Sequence, residues 1–154
     1  GDTFDALLKH ARASLASYVH EADSRIVLSI EEEFKASQGE VVLSGRVDAL
    51  FEGTGGECIV DFKTTGTIDK KKKEEYESQL AFYDHLLREN GRNPVEGLII
   101  QIGEDKVVEH AFPLTPELRE AFKDNLTAVI AELENGKWRA GEPSEYDGLL
   151  TLFK

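Results

Sequence analysis

The feature that most constrains this chain is a glycine-rich connection, Gly53-Thr54-Gly55-Gly56, between two segments of alternating character. Upstream, Val41, Leu43, Gly45, Val47, Ala49 and Phe51 alternate with Val42, Ser44, Arg46, Asp48 and Leu50; downstream, Glu57 to Lys63 reads as a further strand. A period of two bounded by glycine predicts an antiparallel hairpin. Whether the loop takes four residues or only Thr54 and Gly55, the register is the same. Phe51 then faces Cys58, Ala49 faces Val60 and Val47 faces Phe62, an apolar row for the core. The other face sets Leu50 against Ile59, Asp48 against Asp61, and Arg46 against Lys63.

Opposed side chains in a sheet lie about 4.5–5.5 Å apart at Cβ, where like charges destabilise. Two carboxylates on one rung and two cations on the next are badly arranged for stability alone. A divalent cation between Asp48 and Asp61, with an anion such as phosphate near Arg46 and Lys63, relieves both clashes. Alternation also puts Asp61 and Lys63 on one side of their strand, roughly 6.6 Å apart along it, with room for a water between them. A metal there would activate that water and polarise a phosphoryl oxygen, while Lys63 positions the nucleophile or offsets growing charge. An Asp-x-Lys pair alone also fits a solvated strand face; the opposed Asp48 is what gives it chemical meaning.

Around the hairpin the periods are equally readable. Phe4, Leu7, Leu8, Ala11, Leu15, Tyr18 and Val19 recur at helical spacing, and from Ile26 the period drops to two through Leu28, Ile30 and Phe34, with a turn at Ser37-Gln38-Gly39. A long helix is predicted from about Asp69 to Asn90, with Tyr76, Leu80, Tyr83 and Leu87 on one stripe and Gly91 as its stop. Strands at Gly97 to Ile102 and Val107 to Phe112 flank a turn at Gly103-Glu104-Asp105, and a last helix opens at Thr115-Pro116 and stops at Gly136. The tail from Lys137, with Trp138 and Tyr146, has little periodicity. The order predicts one α/β domain over residues 1–154, a mixed central sheet with helices on both faces.

Charge narrows the function. With 18 Lys and Arg against 30 Asp and Glu the net charge is −12, which argues against holding nucleic acid by bulk electrostatics. The distribution is uneven, because residues 61–73 carry five Lys and only two Asp. Lysines 70–73 oppose the helix macrodipole where they stand, so they are a solvated turn or a grip on DNA backbone at the mouth of a cleft. No apolar run reaches the roughly 18 residues of a membrane span. The one cysteine, Cys58, excludes an internal disulfide framework and an iron–sulphur cluster held within the chain, and points to the reducing cytoplasm.

Three motifs in order, Gly45-Arg46-Val47-Asp48, Asp61-Phe62-Lys63-Thr64 and Gln79-Leu80-Ala81-Phe82-Tyr83, resemble the RecB-like subgroup of the PD-(D/E)xK nucleases, whose pattern is G-x-x-D, D-x-K-T and Q-x-x-x-Y. The resemblance implies a restriction-endonuclease-like fold and a metal-dependent DNA nuclease. Asp48, Asp61 and the Phe62 carbonyl would ligate Mg2+ or Mn2+, and Lys63 would be the catalytic lysine. Gln79 and Tyr83, one helical turn apart, would face the site. Arg46, Thr64, Lys70, Lys71, Lys72 and Lys73 are the candidate DNA contacts. Relatives commonly carry a His or Glu ligand on the first helix; Asp5 stands in that region here, with His10 and His20 as alternatives. Many relatives also carry four cysteines for a cluster, which this chain lacks. Such domains often form the C-terminal part of helicase-nucleases in DNA repair and recombination, so a helicase motor is an expected partner and the domain an expected part of a larger chain. Two other readings stay open: a catalytically silent DNA-docking or protein-interaction module on the same fold, and a stand-alone restriction or junction-resolving enzyme.

Overall fold

The computed structural model describes residues 25–103 and 106–136. The predicted opening helix, with Asp5, His10 and His20, and the tail with Trp138 and Tyr146 lie outside the described residues. Five strands and two helices follow in the order β1 (Val27–Gln38), β2 (Val41–Gly53), β3 (Gly56–Lys63), α1 (Lys70–Glu89), β4 (Pro94–Ile102), β5 (Val107–Pro113) and α2 (Pro116–Glu134). The strands form one sheet in sequence order. Pairing is antiparallel except between β3 and β4, which are parallel with α1 as the crossover. This is the mixed α/β sheet the sequence predicts. No helix among the described residues is long and apolar enough to cross a membrane.

The first two hairpins close on two residues, with Gln38 paired to Val41 and Gly53 to Gly56. Helix α1 opens on Asp69, whose side chain accepts from Lys72 N at 2.9 Å, so the lysine-rich first turn is capped despite its charge. Thr115 caps α2 in the same way, with Pro116 in the first turn.

Helices α1 and α2 share one face of the sheet. Leu43, Val47, Leu50, Ile59 and Ile99 meet Leu80, Phe82, Leu86, Phe122 and Leu126 in a single buried cluster. A smaller cluster, Ala49, Phe51, Cys58, Val60, Leu98, Ile100 and Ile102, occupies the opposite face. Two glycines set how closely α1 sits. A Cβ on Gly45 would lie 2.8 Å from Leu86 Cδ1 and 2.9 Å from Phe82 Cε1, and one on Gly97 would lie 2.7 Å from Leu80 Cδ1. The side chains of α1 therefore rest directly on strand backbone at these two points.

The start of β1 departs from expectation. Ile26, Leu28 and Ile30 read as the buried side of a strand, yet they are 59%, 42% and 70% exposed. β1 is an edge strand, and of its large apolar residues only Phe34 reaches the cluster under α1.

Candidate active site

The β2–β3 ladder keeps the predicted register from Gly53–Gly56 to Ala49–Val60 and stops there. Beyond it, the Phe62 N–H donates to the Asp48 carboxylate, with Oδ2 at 2.9 Å. Asp48 thus reaches β3 through a side-chain bond to backbone in place of a ladder pair. The cause lies in β2. Gly45 faces α1, and Leu43 and Val47 pack in the cluster beneath that helix; so does Leu50, while Ala49 and Phe51 pack on the opposite face. Alternation slips by one residue between Val47 and Leu50, at Asp48. Val47 accordingly leaves the row it was expected to share with Ala49 and Phe51. Arg46 and Lys63 form no opposed rung either, because Arg46 donates to the Glu31 carbonyl and carboxylate at 3.3 Å each. The predicted anion site between these two cations is therefore not formed.

Asp61 is only 4% exposed. Lys63 Nζ lies 2.9 Å from its Oδ2 and 5.1 Å from the centroid of the Tyr76 ring. The ammonium is close but not aligned as a donor, and Asp61 Oδ2 is left buried without a hydrogen-bond partner. Burial, and next a hydrogen bond with the Asp48 carboxyl, push Asp61 up to about 7, against the downward pull of Lys63. Tyr83 is buried on α1 and accepts a 3.3 Å hydrogen bond from Gln79 Nε2. Its hydroxyl is pushed up to about 12 by burial and then by the charges of Asp61 and Asp48. Tyr83 thus lies within electrostatic reach of the two carboxylates, with Gln79 bonded to it one helical turn away.

Two acidic groups with an orphaned buried oxygen suit a hard divalent cation, which takes oxygen ligands and offsets the charge that one lysine leaves uncompensated. Asp48, Asp61 and the Phe62 carbonyl are the donors at hand. Among the described residues no cluster of three His, Cys, Asp or Glu side chains forms. Asp5, the predicted further ligand, lies outside them.

The lysine run does not act as a unit. Lys72 turns inward, its Nζ donating to Thr65 Oγ1 at 2.7 Å and to the Thr67 carbonyl at 3.2 Å, so it braces the loop after β3. Lys72, expected among the DNA contacts, is thus engaged within the chain, while Thr64, Lys70, Lys71 and Lys73 are exposed. A second brace was not legible in the sequence. Gln101, paired in register with Lys63, donates through Nε2 to the Thr65 carbonyl at 3.1 Å and to the Gly66 carbonyl, and its Oε1 lies 2.9 Å from His110 Nε2. The loop leaving Lys63 is held from both sides. Away from the site, buried Asp84 accepts from Arg88 Nε and Arg119 Nε at 3.0 Å each, and both guanidiniums also reach the Pro94 carbonyl. Only the i, i+4 pair within α1, Asp84 and Arg88, was readable from spacing.

The chain is 31% identical over 70 residues to an ATP-dependent helicase/nuclease protein of Lactobacillus delbrueckii subsp. bulgaricus, over 41% of this chain and 6% of that protein. It spans only a small part of that relative's length. Its fold resembles the solved structure of a "putative exonuclease" from Eubacterium rectale, with a TM-score of 0.58 at 16% identity, over 85% of this chain and 55% of that one. The sequence model of the PD-(D/E)XK nuclease superfamily matches residues 2–145, a span that includes Asp48, Asp61, Lys63, Gln79 and Tyr83. With so much of its length matched, the chain belongs to the PD-(D/E)XK nuclease superfamily.

Proposed function

We propose that this domain hydrolyses DNA phosphodiester bonds with the help of Mg2+ or Mn2+, as the nuclease part of a helicase-nuclease working in DNA repair or recombination. The observation that carries the reading is the convergence of Asp48, Asp61 and Lys63, with a buried Asp61 oxygen that no hydrogen bond satisfies. Asp48, Asp61 and the Phe62 carbonyl would hold the metal, with Asp5 as the candidate for a further ligand. When bound, the metal supplies Lewis-acid polarisation of the scissile phosphate and acidifies the attacking water.

The chain's own groups do the rest. Lys63, paired with Asp61, would offset charge developing on the phosphoryl oxygens. Gln79 and Tyr83 offer an amide and a hydroxyl on the carboxylate side of α1 to orient the nucleophile or the substrate backbone. Thr64, Lys70, Lys71 and Lys73 supply local positive and polar contacts for DNA on an otherwise acidic surface. The helicase motor of a longer polypeptide or assembly would deliver strand and add most of the non-specific affinity. A single buried thiol suits work in the cytoplasm.

The test is cleavage of single- and double-stranded DNA in Mg2+ or Mn2+, with EDTA as control. Lys63→Ala is expected to lower the rate on the order of 10²–10³-fold without changing the thermal unfolding midpoint appreciably. Cleavage that persists in EDTA or in Lys63→Ala overturns the assignment. Metal uptake that Asp61→Ala abolishes, in a protein that never cleaves, would favour the silent docking module.

A further inference from the structure

Glu31 is the one non-glycine with positive φ among the described residues, at 51°. Its place matters more than its strain. It stands between the β1–β2 pairs Ile30–Ala49 and Glu32–Val47, directly across from Asp48, and these two residues form no ladder pair of their own. The side-chain alternation of β2 reverses at the same point. A left-handed residue in one strand facing a phase slip in its neighbour is a local kink shared by both strands, the kind of device that re-aims a side chain. The side chain re-aimed here is Asp48, whose carboxylate turns to the Phe62 N–H on β3.

A left-handed conformation is unfavourable for a residue with a Cβ, so something must hold it. Arg46 does so, because one guanidinium takes both the Glu31 carbonyl, through Nε, and the Glu31 carboxylate, through Nη2, at 3.3 Å each. Both side chains are 67% exposed, so the clamp is a modest one. We infer that Glu31 and Arg46 are positioning residues, a clamp across β1 and β2 that keeps the kink in place and thereby aims the Asp48 carboxylate at Asp61. This rests on the proposed metal reading of Asp48 and Asp61, and it gives Arg46 a role other than contact with DNA.

Two readouts test it without any turnover: Mn2+ affinity by calorimetry, and the amide proton of Phe62 by NMR. Arg46→Ala is expected to weaken Mn2+ binding about threefold to tenfold, the scale of an exposed ion pair plus a left-handed residue set free, and to move the Phe62 amide resonance. A purely electrostatic role predicts the opposite, since removing a cation near the site should tighten Mn2+ binding. The decisive variant is Arg46→Ala combined with Glu31→Gly, because glycine adopts φ 51° without a clamp. It should return the Mn2+ affinity to within about twofold of the parent and restore the Phe62 resonance. Unchanged binding and an unmoved resonance in Arg46→Ala, or a double variant as weak as the single, overturns the clamp. A parent protein that takes up no Mn2+, or an Asp48→Asn variant that binds it as tightly as the parent, overturns the metal reading and the inference with it.

Discussion

Asp61 and Asp84 are both almost fully buried carboxylates, 4% and 2% exposed, yet their surroundings are opposite in kind. Asp84 sits between two guanidiniums whose Nε atoms each donate at 3.0 Å, and both of those arginines also satisfy the Pro94 carbonyl. Its charge is overpaired and its oxygens are bonded, and the result ties α1 to α2 and to the start of β4. Asp61 has one ammonium 2.9 Å from its Oδ2, no aligned hydrogen bond on that oxygen, and a second carboxyl beside it. A fold selected for stability alone has no use for the second arrangement, because a buried charge left uncompensated is destabilising. The contrast separates a buried acid that builds the domain from one that waits for a ligand.

The strongest way to break the comparison is to neutralise each acid in turn. Asp84→Ala should cost about 3–5 kcal/mol, as expected when a buried ion pair loses one partner, read as a lower urea midpoint. Its effect on cleavage should be confined to the loss of folded protein. Asp61→Asn should do the reverse, lowering DNA cleavage on the order of 10²–10³-fold while the metal-free protein is as stable as the parent or more so. If both substitutions destabilise equally, the distinction between the two sites falls.

A subtler separation comes from pH. Asp61 is pushed up to about 7 in the fold, whereas an unfolded aspartate titrates near roughly 4. The folded state then binds the extra proton between those values, so the metal-free domain gains stability as pH falls from about 7 toward about 4 and loses that contribution as pH rises through about 7. Asp61→Asn should flatten this part of the profile, measured by urea unfolding in chelator across that range. A profile identical in parent and variant would remove the case for a strained acid.

The smallest expected effect concerns the brace beside the site. Gln101→Leu removes the donor to the Thr65 and Gly66 carbonyls and frees the loop that follows Lys63. Cleavage should fall on the order of tenfold, chiefly in kcat, with the thermal midpoint little changed. A fall in the midpoint that accounts for all of the lost activity would make Gln101 merely structural.

Much of the fold and of the site is legible in the residues alone. Glycine punctuation around Thr54 and Gly55 fixes the hairpin register as far as Ala49–Val60, and that carries Asp48 to the neighbourhood of Asp61. The i, i+4 spacing puts Gln79 beside Tyr83 for the same local reason. What the sequence hid are the non-local choices. Nothing about a glutamate announces a left-handed backbone, so the kink at Glu31, the displaced Val47 and the separation of Arg46 from Lys63 were invisible. Ile26, Leu28 and Ile30 alternate like a buried strand because periodicity reports a face and not what covers it. Gln101 holds the loop through contacts that depend on a crossover closing, and a glutamine carries no signal for that.

The bare backbone under α1 at Gly45 and Gly97 has a further consequence. The ends of Leu86, Phe82, Tyr83 and Leu80 press on strand backbone there like keys bottomed in their slots, with no Cβ on the strand side to hold them off. A methyl group added at either point would push on the side chains of the same helix turns that carry Tyr83, so a change of one carbon in a strand reaches the acidic site through α1.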